Sequence, residues 1–186
     1  MKLPLIFAML FSSLTILGQE FHTEFNYDGS NSKDITIRNS YPKGGLKYTS
    51  PTGKEYVYAV FWTSITNNGD SGLELSIDFP VESFTIPSSP KTNFNLYLPY
   101  QEVHLEKEHM LNYGLDLKSF LDENIEKPPE VVKYISPNES YLFYVTVLSN
   151  QGVDGAVRAG FELQKQKLIY KINNHEIDSG QIKSKK

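Results

Sequence analysis

The chain contains no cysteine. Disulfides, a thiolate nucleophile and a cysteine-built zinc site are all excluded, and so is the lipid-bearing cysteine of a bacterial lipoprotein. Arginine is nearly as scarce, with Arg38 and Arg158 alone. Binding to a phosphate backbone needs clustered Arg and Lys. Here 18 Lys plus Arg face 22 Asp plus Glu, for a net charge of −4. The only basic cluster, Lys183, Lys185 and Lys186, reads as a frayed, solvated C-terminal tail. No nucleic-acid partner is expected. Also missing are Gly-x-Ser-x-Gly, His-Glu-x-x-His and any glycine-rich phosphate loop followed by Lys-Ser or Lys-Thr, so no sequence signature names a catalytic residue, a cofactor or a metal.

What is present starts with residues 1–18. Lys2 supplies a positive n-region, Leu3 to Leu17 is almost wholly apolar, and Gly18 is a small residue before the polar pair Gln19-Glu20. This pattern predicts a secretory signal peptide, too short and wrongly flanked for a membrane span. No later apolar run is long enough to cross a bilayer. The expected product is a single domain over 19–186, soluble after cleavage and secreted or periplasmic. Losing Lys2 with the leader takes its net charge from −4 to about −5. A domain of this length can bury a full core without covalent staples.

Strand signals dominate the rest. Tyr (12) and Phe (11) are abundant, and short apolar runs recur with period two. Strands are predicted at Ile35–Ile37, Tyr56–Thr66, Leu73–Phe79, Phe84–Ile86, Phe94–Leu98, Tyr141–Leu148, Val157–Leu163, Leu168–Ile172 and Glu176–Ile177, with Val103 and Leu105 as a possible extension of the fifth. Tyr56–Thr66 and Tyr141–Leu148 are apolar on both faces, so both are placed centrally. Lys43-Gly44-Gly45 and Ser50-Pro51-Thr52-Gly53 read as turns or loops. Asn67-Asn68-Gly69-Asp70-Ser71-Gly72 has the residues of a tight reversal, which predicts a hairpin between the strands on either side. One segment breaks the pattern. Leu117, Phe120, Leu121 and Ile125 share one helical face, Asp116 can cap it, and Lys127-Pro128-Pro129 stops it. This predicts a short helix over about 117–126, inserted in a β protein and packed over an open end of its core. The expected fold is therefore mainly β, an antiparallel β-sandwich of about nine strands with one inserted helix.

The run Phe61 to Leu75 (Phe-Trp-Thr-Ser-Ile-Thr-Asn-Asn-Gly-Asp-Ser-Gly-Leu-Glu-Leu) resembles a bacterial immunoglobulin-like domain signature. In such domains an aromatic strand ends in Asn-x-Gly-Asp and the next begins with a Leu-x-Leu pair. The leader's Leu-Gly followed by Gln-Glu resembles those of secreted Bacteroidetes proteins. The resemblance implies an immunoglobulin-like sandwich in which Trp62 packs without the antibody disulfide. It implies no activity.

Candidate functional residues are of two kinds. Tyr41, Tyr48, Tyr97, Tyr100 and Tyr113 lie in or beside predicted loops, where exposed rings stack on sugars or anchor protein partners. They point to a non-enzymatic binding or accessory module of the cell envelope, with an envelope protein or a glycan as partner. The alternative is a small secreted hydrolase acting on glycans, with acids from Glu102, Glu106 or Glu108 beside His104. Metal sites are not expected. His104 and His109 are five apart, wrong for one helical face. The oxygen-rich run Asp28–Asp34 has Lys33 where a calcium loop needs glycine. Asn67, Asn68 and Asp70 make a similarly poor set. Asn138-Glu139-Ser140 matches a glycosylation sequon but reads as the turn before Tyr141.

Overall fold

The computed structural model describes residues 21–27, 34–127 and 129–185. The predicted leader, most of the Asp28–Asp34 run and Lys186 lie outside the described residues.

Among the described residues twelve strands form two sheets, with every pairing antiparallel. The larger sheet holds β1 (Phe21–Tyr27), β2 (Ile35–Ser40), β3 (Lys43–Thr49), β4 (Glu55–Asn67), β6 (Phe84–Ile86), β7 (Ser89–Tyr97) and β9 (Ser140–Ser149). Its order is β1-β2-β4-β9-β7-β6, with β3 also paired to β4. The smaller sheet contains β5 (Gly72–Asp78), β8 (Glu130–Ile135), β10 (Ala159–Gln164), β11 (Lys167–Ile172) and β12 (His175–Lys185). Its order is β10-β11-β12-β5-β8. The molecule is thus mainly β, as expected, but with twelve strands rather than nine. The three additions are β1, β3 and β8. Of these, β3 is the instructive one. Gly44 and Gly45 suggest a turn, yet they sit at a register shift within a strand. Gly44 has φ +137° and an added Cβ would strike the backbone of Tyr58, so glycine here permits close pairing rather than reversal.

The 13-residue β4 accounts for the arrangement. Its first half pairs with β3, its second half with β2, and its other edge runs along β9. Both edges are occupied, so β5 cannot join it. The predicted hairpin across 67–72 is therefore not formed. The chain instead crosses from the larger sheet to the smaller one, where β5 lies between β12 and β8. Asn67 makes that crossing possible. Fully buried, it donates from Nδ2 to the carbonyls of Ser71 (2.9 Å) and Ile135 (3.2 Å), and its Oδ1 accepts from the Gly69 N–H (3.1 Å). The buried Asn67 side chain thus satisfies backbone groups that the crossing takes out of the sheet ladders.

Between the sheets lies the first core. Phe61, Ile65, Phe143, Val145 and Val147 from the larger sheet meet Leu73, Leu75, Ile77, Phe161 and Tyr170 from the smaller. At its centre Phe161 touches three rings, Phe79 at 5.8 Å, Phe143 at 5.6 Å and Tyr170 at 4.8 Å. On one side the sheets are joined by a side chain. Asn39 of β2, 1% exposed, donates to the Phe161 carbonyl of β10 (3.1 Å) and accepts from the Phe161 N–H (2.9 Å). It thereby acts as a strand neighbour to β10. Gly160 leaves room for it, since a Cβ there would lie 2.5 Å from Asn39 Cγ.

The outer face of the larger sheet is not left to solvent. Tyr58, Val60 and Trp62 of β4, with Tyr144 and Leu148 of β9, form a second core with residues from the segment between β7 and β8. This explains why β4 and β9 are apolar on both faces. The predicted helix is present as α1 (Leu117–Asn124), but it covers this face and not an end of the core. Asp116 caps it, accepting from the Ser119 N–H at 3.2 Å, and Leu117, Phe120 and Leu121 point inward. Val103 is buried in the same layer and Leu105 opens a short 3-10 turn, so neither extends a strand. The C-terminus also departs from expectation. β12 pairs with β5 as far as Lys185, whose Nζ lies 3.0 Å from Glu74, so Lys183 and Lys185 belong to a strand and not to a frayed tail.

Candidate functional site

The covering segment is held in an unusual path. Asn112, Tyr113 and Gly114 have consecutive positive φ values of 50°, 57° and 74°. Such backbone is strained for residues other than glycine and persists only where neighbours fix it. Here Asn112 Nδ2 donates to the Tyr58 hydroxyl (3.1 Å), the Tyr144 hydroxyl donates to the Tyr113 carbonyl (3.1 Å), and the Tyr113 hydroxyl donates to the Tyr41 carbonyl. Lys43 Nζ lies 4.5 Å from the centre of the Tyr113 ring and donates to the carbonyls of Glu108 and Met110.

Where this cover meets the turn between β3 and β4, it leaves an open groove of about 530 Å³. Tyr56, Tyr97 and Asn95 come from the sheet, Asp122, Glu123 and Glu126 from α1 and its end, and the Ser50–Lys54 turn closes one side. Register builds the aromatic wall. The turn at Ser50-Pro51-Thr52-Gly53 sets Tyr48 opposite Tyr56, and their rings stack at 6.1 Å with planes 26° apart. Tyr48 is 5% exposed and backs Tyr56. Its hydroxyl donates to Asp122 Oδ1 at 2.9 Å, which ties sheet to helix across the groove's margin. The Tyr97 hydroxyl donates to the Ile125 carbonyl at 3.1 Å. Lys54 Nζ sits 5.1 Å from the centre of the Tyr56 ring.

The protonation states follow from these contacts. Burial, with Tyr56 adding to it, pushes the Tyr97 phenol up to about 12. Burial first, then the bond to Asp122, lifts Tyr48 well above the ordinary phenol range. The Asp122 carboxyl is held below its usual value by hydrogen bonds from Lys118 and then Tyr48. A general acid or base works best when it titrates near the operating pH. These three groups are all moved away from neutrality. Of the three, Tyr97 and Asp122 line the groove; with the Tyr97 proton already given to Ile125, both present acceptors there.

The tyrosines singled out from sequence divide into three groups. Tyr97 lines this groove and Tyr48 lies behind its Tyr56 ring, both buried, while Tyr113 is 2% exposed in the second core. Tyr41 and Tyr100 are exposed, at 44% and 71%. Tyr41 lies against His22 and Arg158, and Tyr100 against Phe120. They do not gather into one exposed patch, because the covering segment claims three of them as packing. Tyr56 was hidden from sequence reasoning by its place at the start of a strand that reads as wholly central. The turn at 50–53, flanked by Tyr48 and Tyr56, was the available signal for an aromatic pair. Glu102 and Glu106 are exposed, Glu108 and His104 half-buried. His104 Nδ1 is 3.5 Å from Glu106, and none of these four lines the groove between α1 and the β3–β4 turn. Among the described residues no three His, Asp or Glu side chains gather to hold a metal, and no helix is long and apolar enough to cross a membrane.

No family model matches this chain, nor does any curated protein or solved structure.

Proposed function

We propose that this is an exported, non-enzymatic β-sandwich of the immunoglobulin-like kind, a binding or accessory module acting in the periplasm or outside the cell. Its groove between α1 and the β3–β4 turn takes a segment of glycan. The leader-like residues 1–18 support export, and the Phe61–Leu75 run supports the immunoglobulin-like relationship. One observation carries the choice of ligand, the Tyr56 ring backed by Tyr48 and flanked by Asn95, Asp122, Glu123 and Glu126. A sugar presents an apolar C–H face and a rim of hydroxyls. A rigid ring meets the first, and carboxylates and amides meet the second.

The test is calorimetric titration of an oligosaccharide panel, with product analysis of the same samples. At least one neutral oligosaccharide should bind and be recovered intact. Tyr56→Ala should weaken it by about tenfold, the range expected for loss of one aromatic platform. Undiminished binding by the variant would move the site elsewhere. Cleaved sugar would favour the hydrolase reading, and binding only to an envelope protein would replace the glycan.

A further inference from the structure

A second site lies at the seam where β1 and β2 approach β10 and β11. Arg158, just before β10, makes no ion pair with any described carboxylate. Its backbone N–H is fixed by Asn173 Oδ1 at 3.0 Å, and its guanidinium lies 5.9 Å from the centre of the Tyr41 ring. His22 of β1 packs against that same ring, with centroids 5.3 Å apart. Together with Thr23 and Asn173, Arg158 and His22 line a cavity of about 100 Å³. That is several times what one water requires and well short of a cavity for a drug-sized molecule.

The other charges at this cavity have partners, with Lys171 shared between two carboxylates. Glu162 and Lys171 line it too, and pair with each other at 2.7 Å, while Lys171 also reaches Glu176 at 3.2 Å. Beyond them, Arg38 is engaged with Glu24 at 2.5 Å. Arg158 is therefore the cation at this seam with no carboxylate partner among the described residues. Thr23 adds a donor. Its Oγ1 accepts from Asn39 Nδ2 at 3.0 Å, which leaves its own hydroxyl proton to point elsewhere. A forked guanidinium and a hydroxyl donor lining one small cavity are the kinds of group that bind a carboxylate or phosphate.

We propose that this seam is an oxyanion site, in which Arg158 and the Thr23 hydroxyl, with His22 alongside, bind a carboxylate or phosphate group of a ligand. The carboxylate of an acidic sugar and a phosphate share this chemistry, and the two are separated by the probes. Burial and then the Arg158 charge hold the His22 imidazole below its usual value. An anion seated here offsets Arg158 and moves His22 back up, which gives a readout independent of binding heat.

Histidine NMR titrations of the full chain should be run with inorganic phosphate, glucuronate, glucose and sodium chloride as separate additions. At least one of phosphate and glucuronate should perturb His22 saturably and raise its pKa, whereas glucose and chloride should not. Whichever acts identifies the source. Arg158→Gln, an exposed substitution that should leave the fold intact by circular dichroism, should weaken the response by about tenfold or more. Thr23→Val should weaken it less. Tyr56→Ala should leave it unchanged, so this proposal and the groove proposal fail separately. A His22 unmoved by either anion, or an equal response from Arg158→Gln, would overturn the assignment.

Discussion

Asn39→Ala is expected to destabilise the fold by about 3–9 kcal/mol. The substitution strands three buried groups. Phe161 would lose a partner for its N–H and its carbonyl, and Thr63 Oγ1, fully buried, would lose the acceptor it reaches at 3.0 Å. Each buried polar group left unsatisfied costs about 1–3 kcal/mol. The site also gains space that the facing Gly160 cannot fill. Asn39→Asp should fare no better, since it removes the donor to the Phe161 carbonyl and introduces a charge at a 1% exposed position. Thr23→Val, which removes only a peripheral bond, is the control and should cost about 1 kcal/mol. Urea unfolding would decide, read from a lowered midpoint at unchanged slope. A loss below about 1 kcal/mol for Asn39→Ala would show that the sheets do not depend on this bridge.

Phe161→Ala should cost about 3–5 kcal/mol, the usual toll for deleting a buried aromatic ring with partial collapse around it. Its ring is fully buried and touches three others. For a chain of this size the melting temperature should fall by roughly 6–20 °C. The pair is informative beyond either change. Asn39 bonds to the backbone of the residue whose ring is removed, so the double variant should be less destabilised than the sum of the two singles. Strict additivity would mean that bridge and ring stabilise separate parts of the molecule.

Sequence patterning revealed the strands with a single strong periodicity, and revealed why two of them are special. The two-sided apolar character of Tyr56–Thr66 and Tyr141–Leu148 implied cover on both faces, and both strands have it. Asp116 and the spacing of Leu117, Phe120 and Leu121 located α1. The failures share a cause. The Asn67–Gly72 run encodes a reversal, but the same residues serve a hairpin or a crossing between sheets, and only the occupied edges of β4 decide which. The glycines of β3 encode close backbone approach, which mimics a turn on paper. Tyr48, Tyr97 and Tyr113 read as exposed loop residues because nothing local says that the segment between β7 and β8, which contains Tyr113, folds back onto the sheet. Asn39 carried no signal at all, since its partners at Phe161 lie 122 positions along the chain.

The groove exists only if the segment between β7 and β8 is a packed layer, because that layer's rim forms one of its sides. Trp62, the only tryptophan, lies beneath it at 1% exposure. Acrylamide quenching of intrinsic fluorescence therefore tests the arrangement directly. Trp62 should emit in the blue-shifted range of a buried indole and resist quenching until the whole protein unfolds, with both signals changing in the same urea transition as the far-ultraviolet circular dichroism. Ready quenching in the native state, or exposure of Trp62 in an earlier transition while the sheets remain intact, would contradict it.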